Sequence, residues 1–225
     1  MNIDIDLANI IAKILSLLVA IVGHEVMHGY SAYKLGDNTA KALGRLSINP
    51  IKHIDPVGSI IVPGLLFITN APFLFGWAKP VPINMHTVMK NGGESGAIKV
   101  SLAGVTFNFA LVAIFSAIYL IIGDTALVNT FTQEASDPIR FLYLFVVYSI
   151  VINAVLGFFN LWPIPPLDGS QAIKYFAMKH KWYNLVVWIN KLAPYGFFIL
   201  IAIIATPLSK YLFAPIYWLI SKLLS

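Results

Sequence analysis

Long apolar runs separated by short polar segments make up most of this chain of 225 residues. The first run, from Leu7 to Tyr33, is long enough to cross the roughly 30 Å hydrocarbon core of a bilayer. Later apolar runs lie at residues 57–75, 97–122, 139–162, 185–205 and 208–224. The pattern predicts an all-α polytopic membrane protein with about five to six transmembrane helices.

The run at residues 57–75 differs from the others because Pro63 and Pro72 interrupt it. Lys and Arg residues lie on both sides of it, in the polar segments that precede and follow the run. Positively charged loops stay on the cytoplasmic side, so both flanks are expected on the same side of the membrane. We therefore expect this run to be a re-entrant or interfacial segment rather than an ordinary span.

Loop charges also predict the orientation of the chain. The loop 123–137 contains three acidic residues and no Lys or Arg, whereas the segment 163–183 contains three lysines. By the positive-inside rule, the first lies outside the cell and the second lies inside. The expected arrangement is a protein of the cell (inner) membrane, with its N-terminus outside and its functional site nearer the cytoplasmic side.

The composition supports a membrane location, since 58% of the residues are hydrophobic and 11% are charged. A soluble domain of this length could not bury so much apolar surface. The net charge of +5 does not indicate nucleic-acid binding, because the basic residues lie in short loops between apolar runs. No linker-like segment separates the runs, so a single domain over residues 1–225 is expected. The chain contains no cysteine, so His and carboxylate side chains are the expected metal ligands.

The first apolar run contains the motif His24-Glu25-Val26-Met27-His28. Residues i and i+4 of a helix share one face, so both imidazoles can bind one ion while Glu25 faces its open side. A chance match on an ordinary helix is the alternative. However, each charged side chain at the bilayer centre costs about 2.5–3.5 kcal/mol. A zinc site contributes on the order of 10 kcal/mol, which offsets that cost and favours a metal site.

A hydrolytic zinc site usually has three protein ligands and a water, so a third ligand is expected. The remaining acidic and imidazole groups lie mostly in loops or on the opposite side of the membrane; the loop histidines are His53, His86 and His180. Asp168 differs, because it follows a spanning run that three prolines break. Irregular backbone at membrane depth is tolerated where it lines a polar cavity, which makes Asp168 the candidate ligand. An ordinary Asp-Gly turn is the alternative reading.

The motif His-Glu-x-x-His, then Gly104-x-x-x-Asn108, then Asn160…Pro163…Leu167-Asp168-Gly169 occur in this order along the chain. Together they resemble the signature of the site-2 protease family of intramembrane zinc metalloproteases. Segments near residues 36–56 and 75–82 are similar to the branch of that family without an inserted PDZ domain. The resemblance covers roughly residues 20–175, and the C-terminal helices expected over residues 184–224 lie outside it.

The resemblance implies one Zn²⁺ ion per chain, bound by His24, His28 and Asp168. It implies that Glu25 is the general base and that Asn160 lies near the reacting carbonyl. The substrates it implies are single-span membrane proteins or peptides within the lipid bilayer; it leaves their identity and the oligomeric state open. A hydrogen bond between helices is an equal alternative for Asn160.

Two polar features close to these motifs are less specific. Asn108 is expected to act as scaffolding for the active site, because membrane-embedded Asn often bridges helices. Lys79-Pro80-Val81-Pro82 predicts a short β element near the active site, since its prolines lack donors and leave one edge to pair with an extended substrate. A plain proline-rich connector is the alternative for this segment.

Other functions are weighed against the protease. The sequence has no cysteine nucleophile and no Gly-x-Gly-Asp motif of intramembrane aspartyl proteases. A metal transporter also places His and Asp at membrane depth, but it has no chemical need for Glu25 between the two histidines. A catalytically silent membrane scaffold is the third possibility, and it has no reason to contain stoichiometric zinc.

Overall fold

The computed structural model of the chain describes residues 6–69, 76–122 and 137–224. The regular structure of these residues is helical. The α-helices, in chain order, are α1 (Leu7–Lys34), α2 (Thr39–Ala42), α3 (Val62–Ile68), α4 (Met85–Ile122), α5 (Asp137–Asn160), α6 (Asp168–Lys179), α7 (Tyr183–Leu192), α8 (Gly196–Ala205) and α9 (Leu208–Leu223). Short 3₁₀-helices occur at Pro50–His53 and Ala193–Tyr195, and a π-helix occurs at Pro56–Ile61.

Four helical segments of the described chain are long and apolar enough to cross a membrane: Leu7–Lys34, Met85–Ile122, Pro138–Asn160 and Tyr183–Ala205. They confirm the prediction of an all-α integral membrane protein that crosses the bilayer several times. The prediction of five to six spans is not confirmed. Of the other predicted spans, α9 has 16 residues and falls short of the length that a span needs.

The run predicted to be re-entrant or interfacial forms a shorter apolar helix over Pro56–Leu66. Pro63 does not break it, because this residue lies in the first turn of α3, where a proline ring is tolerated. Residues 70–75, which include Pro72, lie outside the described residues. The path of the whole run relative to the bilayer therefore stays a prediction.

The centre of the molecule is a bundle of α1, α4 and α5, with α6 packed against α4. The face of α1 that points into this bundle is built from small residues four apart, Ala12, Ser16 and Ala20, all of them fully buried. Small side chains let helices approach closely where lipid supplies no hydrophobic force between them. The close packing places the second half of α1 directly against α4.

Polar contacts define the relative directions of the three central helices. Arg140 pairs with Asp6, and the Tyr148 hydroxyl donates to Asn9 Oδ1 at 2.6 Å, so α1 and α5 begin at the same end of the bundle. Ala20 contacts Asn108, whereas His28, further along α1, contacts Val100, so α4 runs in the opposite direction. This alternation agrees with the order of spans read from the sequence.

The segment from residue 76 to residue 84 has no regular secondary structure. Within the described ranges there is no β-strand, so the predicted β element is not confirmed. The segment is nevertheless held firmly. The Trp77 N–H donates to the Gly58 carbonyl at 3.1 Å, and the Asn84 N–H donates to Asp37 Oδ2 at 2.6 Å.

Candidate metal centre

His24 and His28 lie one turn apart on the buried face of α1, and their side chains meet Asp168 from the start of α6. The two Nε2 atoms are 3.1 Å apart. Asp168 Oδ2 lies 3.1 Å from Nε2 of His24 and 3.2 Å from Nε2 of His28. The structure thus brings together the three side chains that the sequence proposes as metal ligands, although they are separated by 140 residues of chain.

Asp168 reaches the histidines because the chain between α5 and α6 turns tightly. A Cβ atom on Gly169 would lie 2.1 Å from the Leu161 carbonyl oxygen, so only glycine fits at that position. The Ser170 hydroxyl donates to the Leu167 carbonyl at 2.7 Å and ties down the same turn. On its outer side, Gly196 of α8 packs against the Pro165 carbonyl, where an added Cβ would lie 1.9 Å from the oxygen. Glycine contacts therefore fix the turn where it closes, at Leu161, and at its middle, at Pro165.

Each imidazole is oriented by a partner of its other nitrogen. Nδ1 of His28 lies 2.7 Å from the Val100 carbonyl oxygen, which can only accept, so this nitrogen is the donor. Nδ1 of His24 lies 2.6 Å from Asn108 Oδ1, and the amide nitrogen of the same Asn108 donates to the Ala20 carbonyl. His24 is therefore also a donor through Nδ1. Metal-binding histidines in proteins are usually held in this way.

The three facing atoms carry lone pairs and lack protons to share. Because both protons are on Nδ1, each Nε2 presents a lone pair, and Asp168 Oδ2 is buried without a hydrogen-bond donor in the described part of the chain. Lone pairs at 3.1–3.2 Å from one another repel unless a cation lies among them. Two imidazole nitrogens and a carboxylate oxygen form a donor set that Zn²⁺ uses in hydrolytic sites. The residues present therefore fit a zinc ion.

Space for an ion is kept by Gly104 on α4. A Cβ atom at this position would lie 2.6 Å from Nε2 of both His24 and His28. Any larger residue would occupy the region where the lone pairs meet. The glycine of the Gly-x-x-x-Asn motif and the Asn108 four residues later thus serve the same pair of histidines, one by leaving room and the other by orienting a ring.

Asp168 completes a group of three side chains with His24 and His28. Among the described residues, this is the one group of three His, Asp or Glu side chains close enough to share an ion.

Glu25 lies next to this cluster without belonging to it. Its Oε2 accepts a hydrogen bond from the backbone N–H of Val81 at 2.9 Å. The residue is partly exposed and lines the same cleft as the two histidines and Asp168. The irregular segment 76–84 therefore contacts the motif on α1 through a main-chain donor.

The cleft in front of the cluster has a volume of about 840 Å³. Its walls are mostly apolar and aromatic, with Trp77, Phe159 and Phe197 among them. Asn160 also lines it, at the end of α5, but its amide donates at 3.0 Å to the Leu156 carbonyl of its own helix. The predicted position of Asn160 beside a reacting carbonyl stays a prediction.

Several contacts at the site could not be predicted from the residue types in the sequence. The Val81 amide and the Val100 carbonyl are main-chain groups, which any residue supplies. His53, by contrast, is accounted for away from the cluster: it is buried, and its Nε2 lies 2.8 Å from the Ser47 carbonyl oxygen. It therefore serves the loop before α3, as expected for a histidine outside the site.

No protein-family model and no solved structure matches the chain. Curated relatives do match. A Bacillus subtilis protein named "Putative zinc metalloprotease YwhC" is 34% identical over 204 residues, which cover 90% of this chain and 84% of the relative. "Putative zinc metalloprotease Rip2" of Mycobacterium tuberculosis is 27% identical over 203 residues, 90% of this chain and 70% of the relative.

A third relative, "Putative zinc metalloprotease MJ0611" of Methanocaldococcus jannaschii, is 28% identical over 120 residues, 53% of this chain and 44% of the relative. The match with the Bacillus protein is the most extensive of the three. A stretch covering 90% of 225 residues necessarily includes both the histidines of α1 and the turn before α6.

Proposed function

This chain belongs to the site-2 protease family of zinc metalloproteases, and we propose that it hydrolyses peptide bonds of membrane-spanning substrates within the bilayer. The family follows from the relationship to YwhC, and zinc as cofactor follows with it. The observation that carries the proposal is the meeting of His24, His28 and Asp168 in a cleft beside a helix long enough to span a membrane.

The proposed zinc ligands are the two Nε2 atoms of His24 and His28 and the carboxylate of Asp168. Zinc bound there supplies a Lewis acid that lowers the pKa of a water molecule and polarises a carbonyl group. Glu25 is the proposed general base, which takes a proton from the attacking water and delivers it to the leaving amine. The Val81 amide occupies Oε2 of Glu25, so Oε1 is the oxygen proposed to accept that proton.

The segment 76–84 is the proposed docking site for the substrate backbone. One side of it is fixed: the Lys79 N–H donates to the His53 carbonyl at 2.9 Å, and Arg45 donates to the carbonyls of Lys79 and Pro80 at 2.9 and 3.3 Å. Ala78 lines the cleft. Its backbone N–H and C=O make no hydrogen bond to any described residue. These two groups can pair with an extended substrate, which has to unwind from its helix before hydrolysis.

Asn160 is proposed to donate to the oxyanion that forms at the reacting carbonyl, as side-chain amides do in other hydrolases. Its amide nitrogen would have to leave the Leu156 carbonyl to do so. Both residues lie on α5, and the bond between them is the only constraint on this amide that the described residues show. A change of one side-chain torsion would turn the amide toward the cleft.

The proposed orientation places the N-terminus outside the cell and the cleft nearer the cytoplasm. The segment between α1 and α3 contains Lys41 and Lys52, and the loop after α6 contains Lys181; these charges favour the cytoplasmic side. Each lies next to an element that carries a proposed ligand. Substrates would then be cut close to the cytoplasmic face of the inner membrane.

The test compares membranes containing the native chain with membranes containing Glu25→Gln or Glu94→Gln. Glu94 lies near a kink in α4, and its replacement removes the same charge away from the cleft. Glu25→Gln is expected to keep its zinc and to let uncut single-span proteins accumulate, while Glu94→Gln behaves as the native chain. Equal substrate cleavage by native and Glu25→Gln chains would overturn the proposal.

A further inference from the structure

A line of buried polar groups leads from His24 away from the cleft and into α5. The Asn108 amide nitrogen donates to Asn153 Oδ1 at 2.8 Å, and the Asn153 amide nitrogen donates to the Ser149 carbonyl at 2.8 Å. Asn108 and Asn153 are both fully buried. Asn153 belongs to none of the motifs read from the sequence, and its hydrogen bonds go to Asn108 and Ser149 rather than to a proposed ligand.

The hydrogen bonds along this line can be arranged with only one order of donors and acceptors. The Ser149 carbonyl cannot donate, so Asn153 must turn its nitrogen toward Ser149 and its oxygen toward Asn108. Asn108 must then turn its nitrogen toward Asn153 and its oxygen toward Nδ1 of His24. A flipped Asn108 would set its oxygen against both Asn153 Oδ1 and the Ala20 carbonyl. The consequence at the far end is that His24 carries its proton on Nδ1.

We propose that Asn153 is a positioning residue that acts through Asn108 to hold His24 in the tautomer whose Nε2 lone pair faces the metal. The inference rests on the proposed zinc site at His24, His28 and Asp168. Outer groups that fix the tautomer and orientation of a ligating histidine commonly change metal affinity 10–100-fold when they are removed. Here a second outer residue is involved, because Asn108 is oriented by Asn153 at 2.8 Å as well as by the Ala20 carbonyl at 3.3 Å.

A simple contact between helices does not account for the arrangement. Two fully buried amides are costly unless their groups are bonded, and an apolar pair would join α4 to α5 without that cost. The neighbouring helix contact shows the difference: the Ser149 hydroxyl donates to Ser16 Oγ at 3.2 Å and connects α5 to α1 without involving a ligand. Asn153 instead bonds the residue that orients His24.

The test is a double-mutant cycle on zinc affinity, measured by chelator competition with the purified full chain in detergent. Asn153→Leu is expected to weaken zinc binding about 10-fold in the native background. In the Asn108→Leu background the same substitution is expected to lower zinc affinity by less than about a further twofold, because Asn108, through which Asn153 contacts His24, is already removed. The absorption spectrum of the Co²⁺-loaded chain should also change in Asn153→Leu, because a displaced His24 ring would alter the coordination of the metal.

Two further variants separate positioning from folding. Asn153→Asp in its protonated form keeps an oxygen that accepts from Asn108 and a donor for Ser149, so it should restore zinc affinity to within about twofold of native. Ile150→Val, a change at a fully buried apolar site on the same helix, should lower thermal stability and leave zinc affinity unchanged.

Two results would overturn the inference and leave the proposed zinc site intact. One is native zinc affinity in Asn153→Leu. The other is a loss of zinc affinity on adding Asn153→Leu to Asn108→Leu that equals the loss in the native background. Loss of affinity in Asn153→Asp as large as in Asn153→Leu would also count against it. A native chain that binds no zinc would instead overturn the proposed site, and the inference with it.

Discussion

Gly104 shows most directly how space at a single residue decides what the site can hold. The residue lies on α4 opposite His24 and His28, and its missing side chain leaves the room between their Nε2 atoms. A glycine in the middle of a long helix is unfavourable by roughly 0.5–1 kcal/mol relative to alanine. That cost is understandable where a methyl group would displace an ion.

The first prediction therefore concerns Gly104→Ala. Its Cβ would lie 2.6 Å from both Nε2 atoms, so we expect zinc affinity to fall at least about 10-fold while the helix itself persists. The measurement is zinc content after dialysis against a chelator. Gly64→Ala is the matched control, because beyond its own stretch of helix no described atom lies within 4 Å of a Cβ at that position. Native zinc content in Gly104→Ala would show that the ion is not bound between the two rings.

At the scale of elements, Asp37 connects the end of α1 to the start of α4. Its Oδ1 accepts from the Thr39 N–H at 3.0 Å and its Oδ2 accepts from the Asn84 N–H at 2.6 Å. Burial alone would raise the pKa of Asp37, but the hydrogen bonds from Thr39 and Asn84 outweigh it and lower the pKa. The ionised carboxylate thus stabilises the junction at which segment 76–84 enters α4.

The second prediction is that Asp37→Asn destabilises the chain by about 1–3 kcal/mol at neutral pH, because the amide cannot accept both bonds. A carboxyl group with a lowered folded pKa contributes its stability fully above its unfolded pKa of about 4. The contribution is lost as the pH falls through the lower folded pKa. Melting temperatures of both chains in detergent should therefore differ at pH 7 and converge in acid; a difference that grows in acid would contradict this account.

Elements differ in how far the sequence could predict them. The proposed ligand pair on α1 follows from residue spacing, and the proposal of Asp168 follows from the scarcity of acids at membrane depth. The contact between Val81 and Glu25 could not be predicted, because it joins a main-chain group to a side chain 56 residues away. The β element was expected from two prolines. In the structure, side chains such as Arg45 fix this segment, and no neighbouring strand pairs with it among the described residues.

One residue that the sequence analysis missed, Asn153, could have been noticed in the sequence. Asn153 stands in a run of apolar residues, and an amide within a span needs a partner on a neighbouring helix. The partner's identity depends on the packing of α5 against α4, which a single sequence does not specify. The predicted number of spans is not confirmed: apolar composition predicted a span over 208–224, yet helix α9 has 16 residues.

For the whole molecule, the orientation in the membrane is the third prediction. The chain has no cysteine, so single cysteines report accessibility without background. Leu7, 63% exposed at the start of α1, should react with a membrane-impermeant maleimide in intact cells once it is replaced by Cys. Ile48→Cys, at a site 90% exposed in the loop after α2, should react only after the cells are opened. The reverse pattern would invert the proposed topology.

Whole-molecule architecture also explains why the C-terminal helices matter for a site built by earlier ones. α8 packs Gly196 against the Pro165 carbonyl, and Phe197 contacts Trp77 with ring centroids 5.4 Å apart. Through the first contact it holds the turn that presents Asp168. Through the second it closes one wall of the cleft. The helices outside the recognisable motifs are thus part of the structure that surrounds the candidate site.

The fourth prediction, metal content of the purified chain, tests the central claim most directly. Native protein should retain about one zinc per chain through dialysis. Asp168→Ala should lose at least about 10-fold in zinc affinity, since two imidazoles alone leave the ion short of a protein ligand. A native chain without zinc, or an Asp168→Ala chain that binds zinc as tightly as the native one, would contradict the three-ligand site.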